Sequence, residues 1–127
     1  FNKLSKKNHA DSCGVYTYYY LKRFNAKMPS GDPVLKVMNE IGLDVSKKKI
    51  KQVNKKLVNN SDIIITIMTK ERAEKDLPKY VKNNKNFRLW GLKDVSGTIK
   101  FDSAYKKHKE NRNKIYRKVI NLIKEIS

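Results

Sequence analysis

The side chains able to act as nucleophiles or metal ligands are few and scattered along the chain. The 127 residues include one cysteine, Cys13, and two histidines, His9 and His108. A single cysteine excludes an intrachain disulfide framework and a cysteine-based zinc site, and two distant histidines argue against a histidine-rich metal centre. Because no Arg or His adjoins Cys13, we predict a small buried side chain there rather than a nucleophile. We therefore expect neither a metal nor a cofactor.

Charge is the strongest compositional signal. The chain has 30 Lys and Arg against 12 Asp and Glu, a formal net charge of +18, and the excess divides as +8 over residues 1–63 and +10 over 64–127. Lys, Asn and Ile fill 49 of the 127 positions, which is typical of a strongly AT-biased genome, whereas Arg, common on nucleic-acid-binding faces, occurs five times. We favour compositional bias as the origin and keep a basic nucleic-acid-binding domain as an alternative. In either case the field attracts anionic ligands.

Hydrophobic patterning in the middle of the chain predicts an α/β fold with a parallel sheet and flanking helices. Asp62–Met68 is almost continuously apolar, as expected for a strand covered on both faces of a parallel sheet. Thr69 is a suitable N-cap for a helix that stops before Pro78, and Phe87–Leu92 is the next predicted strand. Strands that alternate with helices are typical of parallel sheets.

Helices and one further strand are predicted on either side of this central part. Asp32 is a suitable N-cap, and Gly42 a suitable C-cap, for a helix that begins at Pro33. Ala10–Val15 is predicted as a short buried strand. A second short helix is predicted from apolar residues at spacings of three and four, beginning at Ile50 and continuing through Val53, Leu57 and Val58. A long C-terminal helix, of about twenty residues, is predicted from its apolar positions: Tyr105, Ile115, Val119, Leu122, Ile123 and Ile126.

The whole chain, 1–127, is predicted to form a single domain. Its longest apolar run is far too short to span a bilayer, and no signal-peptide pattern opens the sequence. We therefore expect a cytoplasmic protein that does not engage a membrane.

Four segments of the sequence follow one another in an order that is typical of a known family: Ala10–Gly14, Val37–Ser46, Asn60–Met68 and Leu89–Asp94. They resemble segments of the low-molecular-weight protein tyrosine phosphatases and of the arsenate reductases that share their fold. In that family a Ser-Ala-Gly turn, a helix ending in Glu-x-Gly-Ile-Asp-x-Ser, an Ala-Asp-x-Ile-x-x-Met strand and a loop with a catalytic Asp follow one another. The resemblance covers nearly all of 1–127 and implies a three-layer α/β fold.

This resemblance implies roles for particular residues. Asp94 matches the general acid that protonates the leaving oxygen and then activates water, although Val95 follows it where the phosphatases have Pro. Ser12 matches the serine that supports the phosphate loop. Without that role, Asp94 is an exposed loop residue and Ser12 bonds to local backbone groups. The resemblance implies that an aromatic wall at the substrate rim is formed by Tyr18, Tyr19 and Tyr20. The alternative is that these three side chains pack partly on the surface.

The family's nucleophile and phosphate loop have no counterpart in these residues. The family places a C-x5-R-[ST] loop after a central strand, and no C-x5-R occurs in this sequence, since the residue six after Cys13 is Tyr19. That strand would lie between Ala10–Val15 and Ile63–Met68, so we expect a gap in the sheet. We expect this gap to be closed in one of three ways: by an upstream segment present as a separate piece, by the β-prone Tyr16–Leu21 stretch folding back, or by self-association through strand exchange with a second copy.

Three functions follow as hypotheses. The first is hydrolysis of a phosphotyrosine-type or other phosphomonoester substrate, if a C-x5-R segment exists upstream. The second is a catalytically dead relative that acts as an interaction module, and the third is nucleic-acid binding. Arsenate reduction ranks lower because the thioredoxin-coupled enzymes need further resolving cysteines.

Overall fold

The computed structural model describes residues 1–15, 33–95 and 100–127, which form helices and a two-stranded parallel sheet. The predicted α/β class with a parallel sheet is therefore confirmed. The described elements, in chain order, are α1 (Pro33–Asn39), α2 (Lys55–Asn59), β1 (Ile64–Ile67), α3 (Lys70–Asp76), α4 (Lys79–Lys82), β2 (Phe87–Trp90) and α5 (Phe101–Ile126). They divide into two compact units, one with α1 and α5 and the other with the sheet, α2, α3 and α4.

The sheet unit is built on the parallel pairing of β1 and β2. Ile64 lies opposite Phe87, and the register runs on to Ile67 opposite Trp90. Parallel strands need a crossover connection, which α3 and α4 supply. The core of this unit consists of buried side chains from the three helices and from the C-cap of α3, against which the strands pack: Val58, Ala73, Leu77 and Val81.

The prediction that β1 is buried on both faces is wrong for part of the strand. Thr66 is buried, but Ile67 is 46% exposed. An apolar run predicts a strand, but it does not establish that both faces of the strand are buried. Burial of each face depends on which elements the topology places against it.

The predicted start and end of α3 are confirmed. The hydroxyl oxygen of Thr69 accepts a hydrogen bond from the backbone N–H of Arg72, as expected for an N-cap. The helix ends at Asp76 and its C-cap, Leu77, has extended backbone angles. Pro78 disfavours helical geometry in the residue before it, which explains why Leu77 leaves the helix.

The predicted strand Ala10–Val15 is reduced to one parallel bridge, between Gly14 and Gln52. The N–H of Gly14 donates to the carbonyl oxygen of Lys51 at 2.8 Å, and the N–H of Val53 donates to the carbonyl oxygen of Gly14 at 2.9 Å. The helix predicted from Ile50 therefore begins only at Lys55, because the backbone groups before it already pair with Gly14.

In the other unit, α1 packs against α5. Val37 of α1 is 1% exposed, and α5 contributes two buried residues, Ala104 and Leu122. The helix α5 has 26 residues, longer than the twenty predicted. Apolar positions mark only the packed part of a helix, so they underestimate its length.

Beyond its last residue, α1 is closed by a left-handed glycine. Gly42 has φ of +73°, confirming the predicted C-cap. The ammonium group of Lys3 donates to the carbonyl oxygens of Ile41 and Gly42 at 3.3 and 3.4 Å. A cation near the carboxyl end of a helix is electrostatically favourable.

A polar cluster joins α5 to the end of α1. Arg112 donates to the carbonyl oxygen of Val37 at 2.8 Å and to the carboxylate of Glu40 at 3.0 Å. Tyr105 donates its hydroxyl hydrogen to the same carboxylate. The ammonium group of Lys36 lies 4.6 Å from the centroid of the Tyr105 ring, a cation–π contact.

Candidate functional site

The carboxyl ends of β1 and β2 lie at the same end of the sheet, because the two strands are parallel. In open α/β sheets, ligands bind at the carboxyl end of the strands. Thr69 follows β1 there and opens α3, while Asp94 follows β2 by four residues. The sequence-predicted Asp94 therefore lies on the segment that leaves the carboxyl end of the sheet.

Arg72 connects the start of α3 with this segment. Its guanidinium Nη1 lies 3.4 Å from Oδ2 of Asp94, and its Nε lies 3.4 Å from Oδ2 of Asp76. Both distances exceed the 2.7–2.9 Å of a strong charge-assisted bond. One arginine thus spans two carboxylates, one within its own helix and one after β2.

Solvent exposure limits what the Arg72–Asp94 pair contributes to stability. The side chain of Asp94 is 76% exposed and that of Arg72 is 49% exposed. Exposed pairs of this kind are worth about 0.2–1 kcal/mol because water screens them. The pair therefore positions Asp94 without fixing it, and leaves its carboxyl group accessible to a ligand.

Arg72 is not among the residues that the sequence predicts for the site, although part of the signal is present in the sequence. The pair with Asp76 has the i, i+4 spacing that predicts contact on a helix. The contact with Asp94 spans 22 positions, and no periodicity predicts it. It follows from the parallel crossover, which sets the start of α3 beside the end of β2.

The other predicted site residues lie elsewhere. Ser12 is exposed, its N–H donates to the side chain of Asp11 at 2.8 Å, and it belongs to the unit that contains α1 and α5 rather than to the sheet unit. Tyr18, Tyr19 and Tyr20 lie outside the described residues. The predicted site residues that the structure describes are thus Asp94 and Ser12, and the unit with Asp94 is the one that has the sheet.

Cys13 is exposed, so the prediction of a buried side chain is wrong. The physical reason is the reduced strand: a single bridge at Gly14 does not bring the residues before it under cover. A cysteine is small and apolar enough to pack in a core, but its residue type alone does not determine whether it is buried.

The edge of β1 that faces away from β2 has no partner strand among the described residues. The N–H of Ile64 donates to the carbonyl oxygen of Asn86, so Ile64 and Thr66 direct their backbone groups towards β2. The alternate residues, Ile65 and Ile67, direct theirs the other way. Gly14, in the same unit, pairs with Gln52 and not with β1.

No group of three or more His, Cys, Asp or Glu side chains that could hold a metal ion occurs in residues 1–15, 33–95 and 100–127. Over the same residues, no helix is both long and apolar enough to cross a membrane.

Comparisons with protein-family models, with curated proteins and with solved structures each give no match to this chain.

Proposed function

We propose that the chain is a relative of the low-molecular-weight protein tyrosine phosphatases, with their three-layer α/β fold, and that Asp94 occupies the general-acid position of a phosphomonoester site. Support comes first from the four segments quoted above, which occur in the family's order. The single observation that carries the proposal is the arrangement around β1, which pairs with β2 on one edge only among the described residues. The opposite edge of β1, which faces away from β2, is where the family's central, nucleophile-bearing strand would lie.

The chemistry divides between this chain and a segment that its 127 residues do not contain. A cysteine thiolate attacks phosphorus, so a sulfur–phosphorus bond forms while the bond to the leaving oxygen breaks. Asp94 gives its proton to that oxygen. Asp94 then takes a proton from water as the water oxygen attacks phosphorus and the thiolate leaves.

By this proposal the 127-residue chain alone differs in activity from the assembled enzyme. The sequence has no C-x5-R, and Cys13 is exposed beside a single β-bridge. We therefore expect the purified chain to leave p-nitrophenyl phosphate unhydrolysed. Turnover that disappears in Cys13→Ser would make Cys13 the nucleophile and would overturn the proposal.

Restoring the missing segment tests the role of Asp94. A strand and C-x5-R-[ST] loop, with the following helix, would be fused ahead of Phe1, and hydrolysis of p-nitrophenyl phosphate measured. We expect turnover that Asp94→Asn lowers by about 10²–10⁴-fold, the usual effect of losing a general acid. The matched control is Asp62→Asn, which removes an exposed carboxylate just before β1. A fusion that melts cooperatively but has no activity contradicts the proposal.

Amide hydrogen exchange tests the open edge in the chain itself, without any fusion. The N–H groups of Ile64 and Thr66 face β2 and should be protected, whereas those of Ile65 and Ile67 should exchange much faster. Equal protection of all four would show that the far edge is already covered. The place assigned to the nucleophile-bearing strand would then be occupied, and the proposal would fail.

A further inference from the structure

The outward side of α5 presents a row of four cations and one asparagine that the phosphatase proposal does not use. Successive members are separated by three, four, four and seven positions, which keeps them on one side of an α-helix. At 1.5 Å per residue the row is about 27 Å long. We call it the cationic stripe, and it consists of Lys106, Lys109, Asn113, Arg117 and Lys124, with Tyr116 alongside.

The members of the stripe are accessible. All five are exposed, and the neighbouring Tyr116 is 44% exposed. In the part of the chain that the structure describes, none of the four cations has a carboxylate within ion-pair distance. Glu110 borders the stripe on one side, and the ring of Tyr105 lies 5.8 Å from the ammonium group of Lys109 on the other. The stripe therefore carries four positive charges, of which that of Lys109 is partly offset by the carboxylate of Glu40.

The apolar side of the same helix is already in use. Ala104 and Leu122 are buried, and α5 packs against α1. A helix that binds a membrane surface needs its apolar side free to enter the lipid boundary. This side of α5 is not free, so an anionic bilayer is the less suitable partner.

We propose that the cationic stripe binds the backbone of single-stranded nucleic acid, with Tyr116 as a stacking surface for a base. Proteins that bind single strands combine a positive track for phosphates with aromatic side chains on which bases stack. The stripe provides the track, and Tyr116 provides an exposed ring beside it. The net charge of +18 adds long-range attraction to any polyanion.

The experiment measures the binding of a fluorescent 15-nucleotide oligothymidylate to the full chain by anisotropy, over a range of salt concentrations. Each neutralised phosphate contributes about −0.7 to the slope of log K against log salt for a single strand, so four cations predict a slope of about −3. In the triple variant Lys106→Gln, Arg117→Gln, Lys124→Gln, we expect a slope near −1 and affinity at least tenfold lower at low salt.

A matched control separates a local surface from the general field of the protein. Lys47→Gln, Lys48→Gln, Lys49→Gln removes the same number of positive charges from exposed positions in the segment that follows α1. We expect its affinity to stay within about threefold of the unaltered chain. Equal weakening by both triple variants would show that binding is diffuse, and would overturn the assignment to α5.

Tyr116 provides a second test that leaves charge unchanged. Tyr116→Ala should weaken oligothymidylate binding about five- to a hundredfold, the range for loss of one stacked base, while Tyr116→Phe should retain it. Loss of binding in both variants, or in neither, contradicts stacking. Stronger binding to phosphatidylserine vesicles than to the oligonucleotide, or no oligonucleotide binding at low salt, would also overturn the proposal. None of these outcomes depends on phosphatase activity.

Discussion

Tyr105 of α5 donates its hydroxyl hydrogen to the carboxylate of Glu40, the residue that follows α1. This bond is the largest cause that lowers the pKa of Glu40 below its ordinary value of 4.5, and Arg112 lowers it further. The same bond is the largest cause that raises the pKa of Tyr105 above its ordinary value of 10.0. One hydrogen bond between two helices thus depends on a carboxylate at one end and a neutral phenol at the other.

The bond predicts a loss of stability at both extremes of pH. Because the pKa of Glu40 is lower in the folded state, its contribution is present above its ordinary value and disappears as pH falls through the folded value. Because the pKa of Tyr105 is higher in the folded state, its contribution is present below its ordinary value and disappears as pH rises through the folded value. Tyr105→Phe should therefore lower Tm by a constant amount from about pH 5 to 9, and by less outside that range.

Thermal melts of the unaltered chain and of Tyr105→Phe over pH 2–12 check this expectation. The control is Tyr116→Phe, which alters an exposed tyrosine on the same helix. Its Tm should follow that of the unaltered chain throughout. A Tm difference for Tyr105→Phe that is the same at every pH would mean that Glu40 and Tyr105 do not titrate through this bond.

Arg112 should be the most important polar residue between α1 and α5. Its side chain is 11% exposed, and it donates to the carbonyl oxygen of Val37 as well as to Glu40. The bond from a charged donor to Val37 alone is worth about 1.5–3 kcal/mol. We expect Arg112→Met to lower the free energy of unfolding by at least that amount in urea titrations, and the exposed Arg117→Met to change it by less than about 0.5 kcal/mol. Equal effects would show that the buried bond contributes nothing specific.

How far the sequence predicts this molecule can be judged element by element. Local rules predict four features: an apolar run predicts β1 and β2, a hydroxyl before a helix predicts the Thr69 N-cap, and a glycine after a helix predicts the Gly42 C-cap. Local backbone preferences decide these features, whereas the parallel pairing of β1 with β2 follows from the helical crossover between them. The single-domain expectation stays a prediction, as do the phosphatase function and the family.

Other features depend on contacts that local sequence does not encode. The helix expected from Ile50 begins at Lys55. Gly14, far away in sequence, forms hydrogen bonds with backbone groups of Lys51 and Val53, which are therefore not available to the helix. Cys13 is exposed for a related reason, because the residues next to it in sequence do not determine how long the strand becomes. In the candidate site, Asp94 could be predicted from the family resemblance, but its partner Arg72 could not.

Gly42 should resist replacement more than another described glycine, Gly91. A side chain at Gly42 would have to adopt φ of +73°, and its Cβ would lie 2.8 Å from Nζ of Lys3. The flexible lysine can move, so the backbone angle dominates, and Gly42→Ala should lower the free energy of unfolding by about 1–2 kcal/mol. A Cβ at Gly91 would meet nothing within 4 Å. Gly91→Ala should therefore be nearly neutral, and a larger loss at Gly91 than at Gly42 would contradict this account.

The final prediction concerns the Arg72–Asp94 pair and how firmly it holds Asp94. A double-mutant cycle of Arg72→Gln and Asp94→Asn, measured as free energies of unfolding in urea, should give a coupling energy of about 0.2–1 kcal/mol, as expected for exposed charges. The coupling should fall as salt rises, because screening acts most strongly on exposed pairs.

The pair with Asp76 is the internal reference for this cycle. It has the same 3.4 Å separation, but Asp76 is only 14% exposed where Asp94 is 76% exposed. Less screening should make the Arg72–Asp76 coupling the larger and the less salt-sensitive of the two. If Arg72–Asp94 coupled more strongly, Asp94 would be held firmly by the arginine. A carboxyl group held in that way would be poorly placed to reach a leaving oxygen, and its assignment as the general acid would weaken.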